Sequence, residues 1–144
     1  MLPIMIGALL AVALCVTGRV TRFDQDRSYH AVILIVIATY YVLFAVMAGE
    51  AIMEEIVAAS IFSFLAFLGA LRFPLLLGIG ILAHGLFDVV HHLLIHNSGV
   101  PIWWLAFCAS VDIILGGWVI YLALSGKGLT NAPIKAGHDS ESSS

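Results

Sequence analysis

Five long apolar runs, separated by short polar breaks, decide what this chain can fold into. A bilayer core about 30 Å thick needs roughly 17 to 25 mostly apolar residues per helix. The runs at residues 2–17, 29–48, 52–72, 74–96 and 102–124 all come near that length. Only 10 % of the residues are charged, where a water-soluble domain carries about a quarter, and the mean hydropathy is +1.09. So few charges cannot cover a globular surface, and lipid must be the solvent. The runs are continuous and lack the ten-residue alternation of barrel strands, so they read as helices. The expectation is an all-α, polytopic membrane protein, an up-and-down bundle of five transmembrane helices, with the bilayer as its first partner.

The first run resembles a signal peptide in length, but no Lys or Arg precedes it and Arg19, Arg22 and Arg27 follow it. That polarity is reversed for a signal peptide, so it counts as a helix. The connections at Arg19 to Arg27, Gly49 to Ala51, Phe73-Pro74 and Asn97 to Pro101 are short, and short loops make consecutive helices antiparallel neighbours. Residues 1–125 then form one transmembrane domain. Residues 126–144, rich in Gly, Lys, Asn, Asp and Ser, bury too little apolar area to offset chain entropy and are expected to be a disordered cytoplasmic tail. No internal repeat of the kind many secondary transporters carry is visible.

With five crossings, Arg19, Arg22, Arg27, Arg72, Lys127 and Lys135 all fall on one side. The positive-inside rule makes that side cytoplasmic and leaves the amino terminus outside, in a multi-pass protein of the cell's inner membrane. The opposite side holds Glu50, Glu54, Glu55, His96 and Asn97 without a Lys or Arg, and Trp103-Trp104 sit there as interfacial aromatics do. The formal net charge of −3 carries no basic footprint, which argues against nucleic acid as a partner.

Candidate chemistry concentrates in the fourth run, HGLFDVVHHLLIH, residues 84–96. At about 100° per residue, His84, Asp88 and His91 share one face, with His92 close by. A rise of about 1.5 Å per residue places His84 near the bilayer centre and His91 and His92 near the outer boundary. In the fifth run Trp104, Cys108 and Asp112 follow at i, i+4 spacing, and Asp112 matches His84 in depth, roughly 15 Å in. A carboxylate at that depth costs several kcal/mol unless it is paired, protonated or hydrated, so Asp88 and Asp112 must face the interior, with His84 the natural partner. Thr39, Tyr40 and Tyr41 lie at similar depth, Glu54 and Glu55 lie one turn below the outer surface, and Ser60 and Ser63 go deeper. Cys15 and Cys108 have no disulfide or zinc-finger spacing and read as packed thiols. Glu50 reads as a loop charge and His96 as a solvated interfacial histidine.

The stretch from His84 to Asp112, HGxxDxxHH followed by a Pro, an aromatic pair, Cys108 and an intramembrane Asp, resembles a family of small bacterial integral-membrane proteins classed as a domain of unknown function. That resemblance implies a membrane location and weight for the motif, and brings no activity with it. The histidines are also superficially similar to the boxes of membrane hydroxylases and desaturases. Those need about eight histidines to hold two irons, and only five lie outside the tail here.

Three readings stay open. Imidazole and carboxylate at helical spacing suit a divalent metal such as zinc, iron or manganese, held by His84, Asp88, His91, His92 and Asp112, with Asp88, Asp112 and Glu54 as candidate catalytic groups for metal-assisted chemistry on a hydrophobic small molecule. Protonatable groups along a depth axis suit a proton or cation path, helped by Gly78 and Gly80 loosening the inner end of the fourth helix or by a pore in a homo-oligomer. In a structural or auxiliary membrane subunit the same residues would be interhelical glue, which needs only hydrogen bonds, each contributing about 1 kcal/mol or less. The metal reading leads, because the ligand-type residues gather on two consecutive helices and toward one face.

Overall fold

The computed structural model describes residues 1–126 and Leu129, and the expected tail lies otherwise outside the described residues. The described residues form helices α1 (Leu2–Thr21), α2 (Arg27–Ala48), α3 (Ile52–Leu71), α4 (Leu75–Leu94) and α5 (Ile102–Ser125), with a 3-10 turn at Phe23–Gln25. No strand occurs among them, and each of the five helices is long and apolar enough to cross a membrane. The large apolar side chains left exposed, from Leu9 and Val16 on α1 to Phe64 and Phe67 on α3 and Leu93 on α4, form the surface that lipid would cover.

Helix ends follow local chemistry rather than the ends of the apolar runs. α1 continues four residues beyond its run because Thr21 donates its hydroxyl to the Thr17 carbonyl at 2.8 Å and Arg19 reaches Asp24 at 3.3 Å; polar residues remain helical once they leave the hydrocarbon. Arg22 then adopts a left-handed conformation, φ 64°, and breaks the helix. The Asp26 side chain accepts from the Ser28 N–H at 2.8 Å, capping α2 two residues before its apolar run begins. Gly49 ends α2 at φ 72°, where a glycine carries no Cβ penalty. α4 stops at Leu94, two residues short of the expected end, because Ile95 turns extended.

α4 and α5 pack most extensively, followed by α2 on α3 and α1 on α5. α1 therefore rests on the last helix rather than chiefly on α2, its neighbour in sequence. Glycines on both helices make the α4–α5 crossing close. A Cβ on Gly116 would sit 2.6 Å from the Leu82 nitrogen and one on Gly78 2.6 Å from the Ile120 nitrogen. Gly78 and Gly80 thus sit within an uninterrupted α4, as packing surfaces rather than as a loose end. The apolar core, Leu34, Ala66, Leu77, Ile81, Leu115 and Val119, fills the half of the bundle toward the α3–α4 connection. The polar stripe fills the other half.

Candidate functional site

Along α4 the fully buried positions are Leu77, Gly78, Gly80, Ile81, His84, Gly85, Asp88 and His91. One helical face thus changes from apolar to polar at His84, and this face turns toward α2, α3 and α5. Gly85 lets α5 approach: a Cβ there would lie 2.9 Å from the Asp112 Cβ. The approach puts Asp112 Oδ2 2.9 Å from His84 Nδ1, the contact expected from matched depth. Asp88 Oδ1 lies 3.7 Å from the same nitrogen. His84 is 1 % exposed, and Asp88 and Asp112 are 0 % exposed.

These three residues each offer a donor atom, all within 4.8 Å of one another, and form a group of the size and chemistry that could hold a metal ion. The Tyr41 hydroxyl, from α2, donates to Asp88 Oδ1 at 2.5 Å. The Phe62 ring stands edge-on to His84 at 4.8 Å between centroids. Asp88 Oδ2 and Asp112 Oδ1 are buried without a hydrogen-bond partner. Charge makes this group unusual. Even with His84 protonated, two ionised carboxylates leave one negative charge unbalanced, and no Lys or Arg among the described residues pairs with them. Burying such a charge costs several kcal/mol, so a further proton or a cation must belong to the group.

The other sequence candidates lie elsewhere. His91, one turn beyond Asp88, directs Nε2 to Glu55 Oε1 at 2.8 Å rather than to the three-residue group. His92 and His96 are exposed, as is Glu54. Adjacent residues on a helix diverge by about 100°, which separates His92 from His91 and Glu54 from Glu55. Glu55 is the inward carboxylate of the pair, 0 % exposed. The sequence signal for it was its phase: Phe62, Ala66 and Gly69 follow at helical spacing, and the last two are buried with it. Of Thr39, Tyr40 and Tyr41 only Tyr41 reaches the group, since Thr39 bonds back to the Ile35 carbonyl and Tyr40 is exposed and packs edge-on against Trp104, centroids 5.2 Å apart. Ser60 likewise bonds to its own helix. Cys108 is a buried free thiol.

Two features had no sequence signal. Asp24 and His30, at the opposite end of the bundle, are 2 % and 1 % exposed. Arg19 pairs with the Asp24 carboxylate at 3.3 Å, and the His30 ring donates Nε2–H to the Asp24 carbonyl at 3.0 Å. Asn97, in the loop after α4, donates to Glu55 Oε1 at 2.9 Å and to the Tyr41 carbonyl at 3.3 Å. In the same region Glu50, outside the helices, accepts from the Ser98 N–H at 3.4 Å. Hydrogen bonding from Ser98 holds its carboxyl below the ordinary range.

A family model described as "Family of unknown function (DUF6010)" matches residues 1–125, and the chain belongs to that family. No curated protein and no solved structure matches the chain.

Proposed function

We propose that this member of a family without an assigned function is a multi-pass membrane protein that binds a divalent cation inside the bilayer through His84, Asp88 and Asp112. One observation carries the proposal: two fully buried carboxylates share a single imidazole, each keeps an oxygen without a partner, and no Lys or Arg among the described residues offsets them. His84, Asp88 and Asp112 would hold the cation, which would take the place of the proton between His84 and Asp112 and balance both carboxylates. One imidazole with two carboxylates suits zinc, iron(II) or manganese(II), and three protein ligands leave an open position. A water there would be acidified, which is the chemistry a metal-dependent membrane enzyme would use.

The polar half of the bundle faces outward in this proposal, by the positive-inside rule applied to Arg19, Arg22, Arg27 and Arg72. Element analysis of protein prepared without a histidine tag tests the cation. Close to one divalent metal per chain, with a fall in thermal stability on chelation, is the expected result; metal-free protein whose stability a chelator leaves unchanged would return the group to hydrogen-bonded glue. Reporter fusions after Ser144 test the orientation, and an extracytoplasmic signal would reverse it.

A further inference from the structure

The α1–α5 pair carries an open groove of about 660 Å³ whose walls include no residue of the His84 group. Val12, Val16 and Val20 line it from α1, and Gly117 and Tyr121 line it from α5, each set at i, i+4 spacing. Such spacing marks one face of a helix, so the groove runs along both helix axes. From Val12 to Val20 it extends about 12 Å, at about 1.5 Å per residue, which is most of the roughly 15 Å of hydrocarbon in one leaflet. Its one charged wall residue is Arg19, just beyond the end of the first apolar run. Arg19 gives one nitrogen to Asp24 at 3.3 Å, and its side chain stays 47 % exposed.

Two adjacent glycines show that the groove is not left over from close packing. A Cβ on Gly116 would collide with α4 at Leu82, whereas one on Gly117 would meet nothing within 4 Å. Glycine inside a helix is less favourable than alanine, and at position 117 no neighbouring helix requires it. What the missing side chain provides is the depth of the groove. Charge is also uneven here: among the described residues this end of the bundle carries Arg19, Arg22, Arg27 and Arg72 against Asp24 and Asp26. Basic side chains at a membrane surface attract anionic lipid head groups.

We propose that this groove binds one anionic phospholipid from the leaflet at the arginine-bearing end, with an acyl chain along Val12 to Val20 and the phosphate on Arg19. The inference is independent of the cation reading of the His84 group, since groove and group share no residue. Charge complementarity selects this occupant. An apolar helix from a second copy would fill the groove but strip water from the Arg19 guanidinium without replacing it. A phosphate meets the same N–H donors with charge-assisted hydrogen bonds. Asp24, 2 % exposed, anchors the guanidinium from the protein side, so the lipid finds Arg19 already placed. The arginines in excess over the two aspartates favour a head group with net negative charge over a zwitterionic one.

Native mass spectrometry of the full-length protein released from detergent, with phosphatidylglycerol or phosphatidylcholine of identical acyl chains added, tests the site. Wild type should retain one phosphatidylglycerol per chain, at least tenfold more tightly than phosphatidylcholine. Gly117→Leu extends a side chain into the open groove and should weaken that retention at least tenfold. Val16→Phe, at a position 58 % exposed, should do the same from the α1 wall, which guards against a folding defect peculiar to either variant. Arg19→Gln combined with Asp24→Asn removes the ion pair without stranding a buried carboxylate, and should still take a lipid but retain the two kinds equally. Arg72→Gln makes the same change of side chain at the same end of the bundle but outside the groove, and should keep the tenfold preference. Equal retention of the two lipids by wild type would overturn the proposal, as would wild-type retention in both groove-filling variants. A wild-type dimer that both variants convert to monomers would also overturn it, by giving the groove to a second copy.

Discussion

Two buried Asp–His groupings stand in opposite halves of this bundle and are built differently. Near the arginine-bearing end, Asp24 is countered by the Arg19 guanidinium at 3.3 Å, and His30 bonds to the Asp24 main chain rather than to its carboxylate. Both groupings contain unpartnered atoms, Asp24 Oδ1 and His30 Nδ1 in one, Asp88 Oδ2 and Asp112 Oδ1 in the other. In the first, however, one carboxylate meets one permanent cation. In the second, two carboxylates meet one imidazole, with Tyr41 adding a neutral donor. Where this chain needs a buried Asp only to fasten a connection, it supplies an Arg; where it omits the Arg, a further proton or a cation must balance the second carboxylate.

The largest expected effect that could break the comparison is on metal content. Asp88→Asn and Asp112→Asn should each abolish stoichiometric metal, because each removes a charged ligand from a three-residue site, whereas Asp24→Asn should lower the melting temperature and leave metal content unchanged. Equal loss of metal in all three, by element analysis, would erase the distinction. Next in size is Gly85→Val. Its Cβ would lie 2.9 Å from the Asp112 Cβ, so α4 and α5 must separate, at a cost of about 1 to 3 kcal/mol for overpacking. Metal affinity and thermal stability should fall together, read by titration and by thermal melts. Tyr41→Phe should be milder: it removes the donor to Asp88 but keeps the ring, and losing such a supporting hydrogen bond costs roughly 10 to 100-fold in metal affinity. The smallest effects should come from His92→Gln and Glu54→Gln, both on the exposed surface, which should leave tight binding and stability at wild-type levels.

Much of this was legible in the sequence, for physical reasons that can be named. Helix number followed from run length, since the bilayer imposes it. The pairing of His84 with Asp112 followed from rise per residue on antiparallel helices, and the burial of both aspartates from the cost of a charge in hydrocarbon. Choosing between Glu54 and Glu55 required the helix phase, which Ala66 and Gly69 carry only weakly among so many apolar residues. A stripe of His84, Asp88 and His91 suggests one ligand set, but the larger rise to His91 and the presence of Glu55 on α3 divide it into two groups. Asp24 and His30 gave no signal, because they lie outside the apolar runs or at an end of one, where polar residues are ordinarily solvated. The packing of α1 on α5 was equally hidden: Gly7, Ala11 and Gly18, its only buried residues, mark a close face without naming the helix that meets it.

X-ray absorption on the protein as purified, with the Asp88→Asn variant beside it, tests most directly whether a cation balances the His84 group. One metal per chain is expected, with a shell of nitrogen and oxygen ligands at about 2.0 to 2.2 Å for zinc that includes a single imidazole and no sulfur, and with that signal gone in the variant. A sulfur ligand, two or more imidazoles, or a signal unchanged by Asp88→Asn would place the metal elsewhere and contradict the assignment.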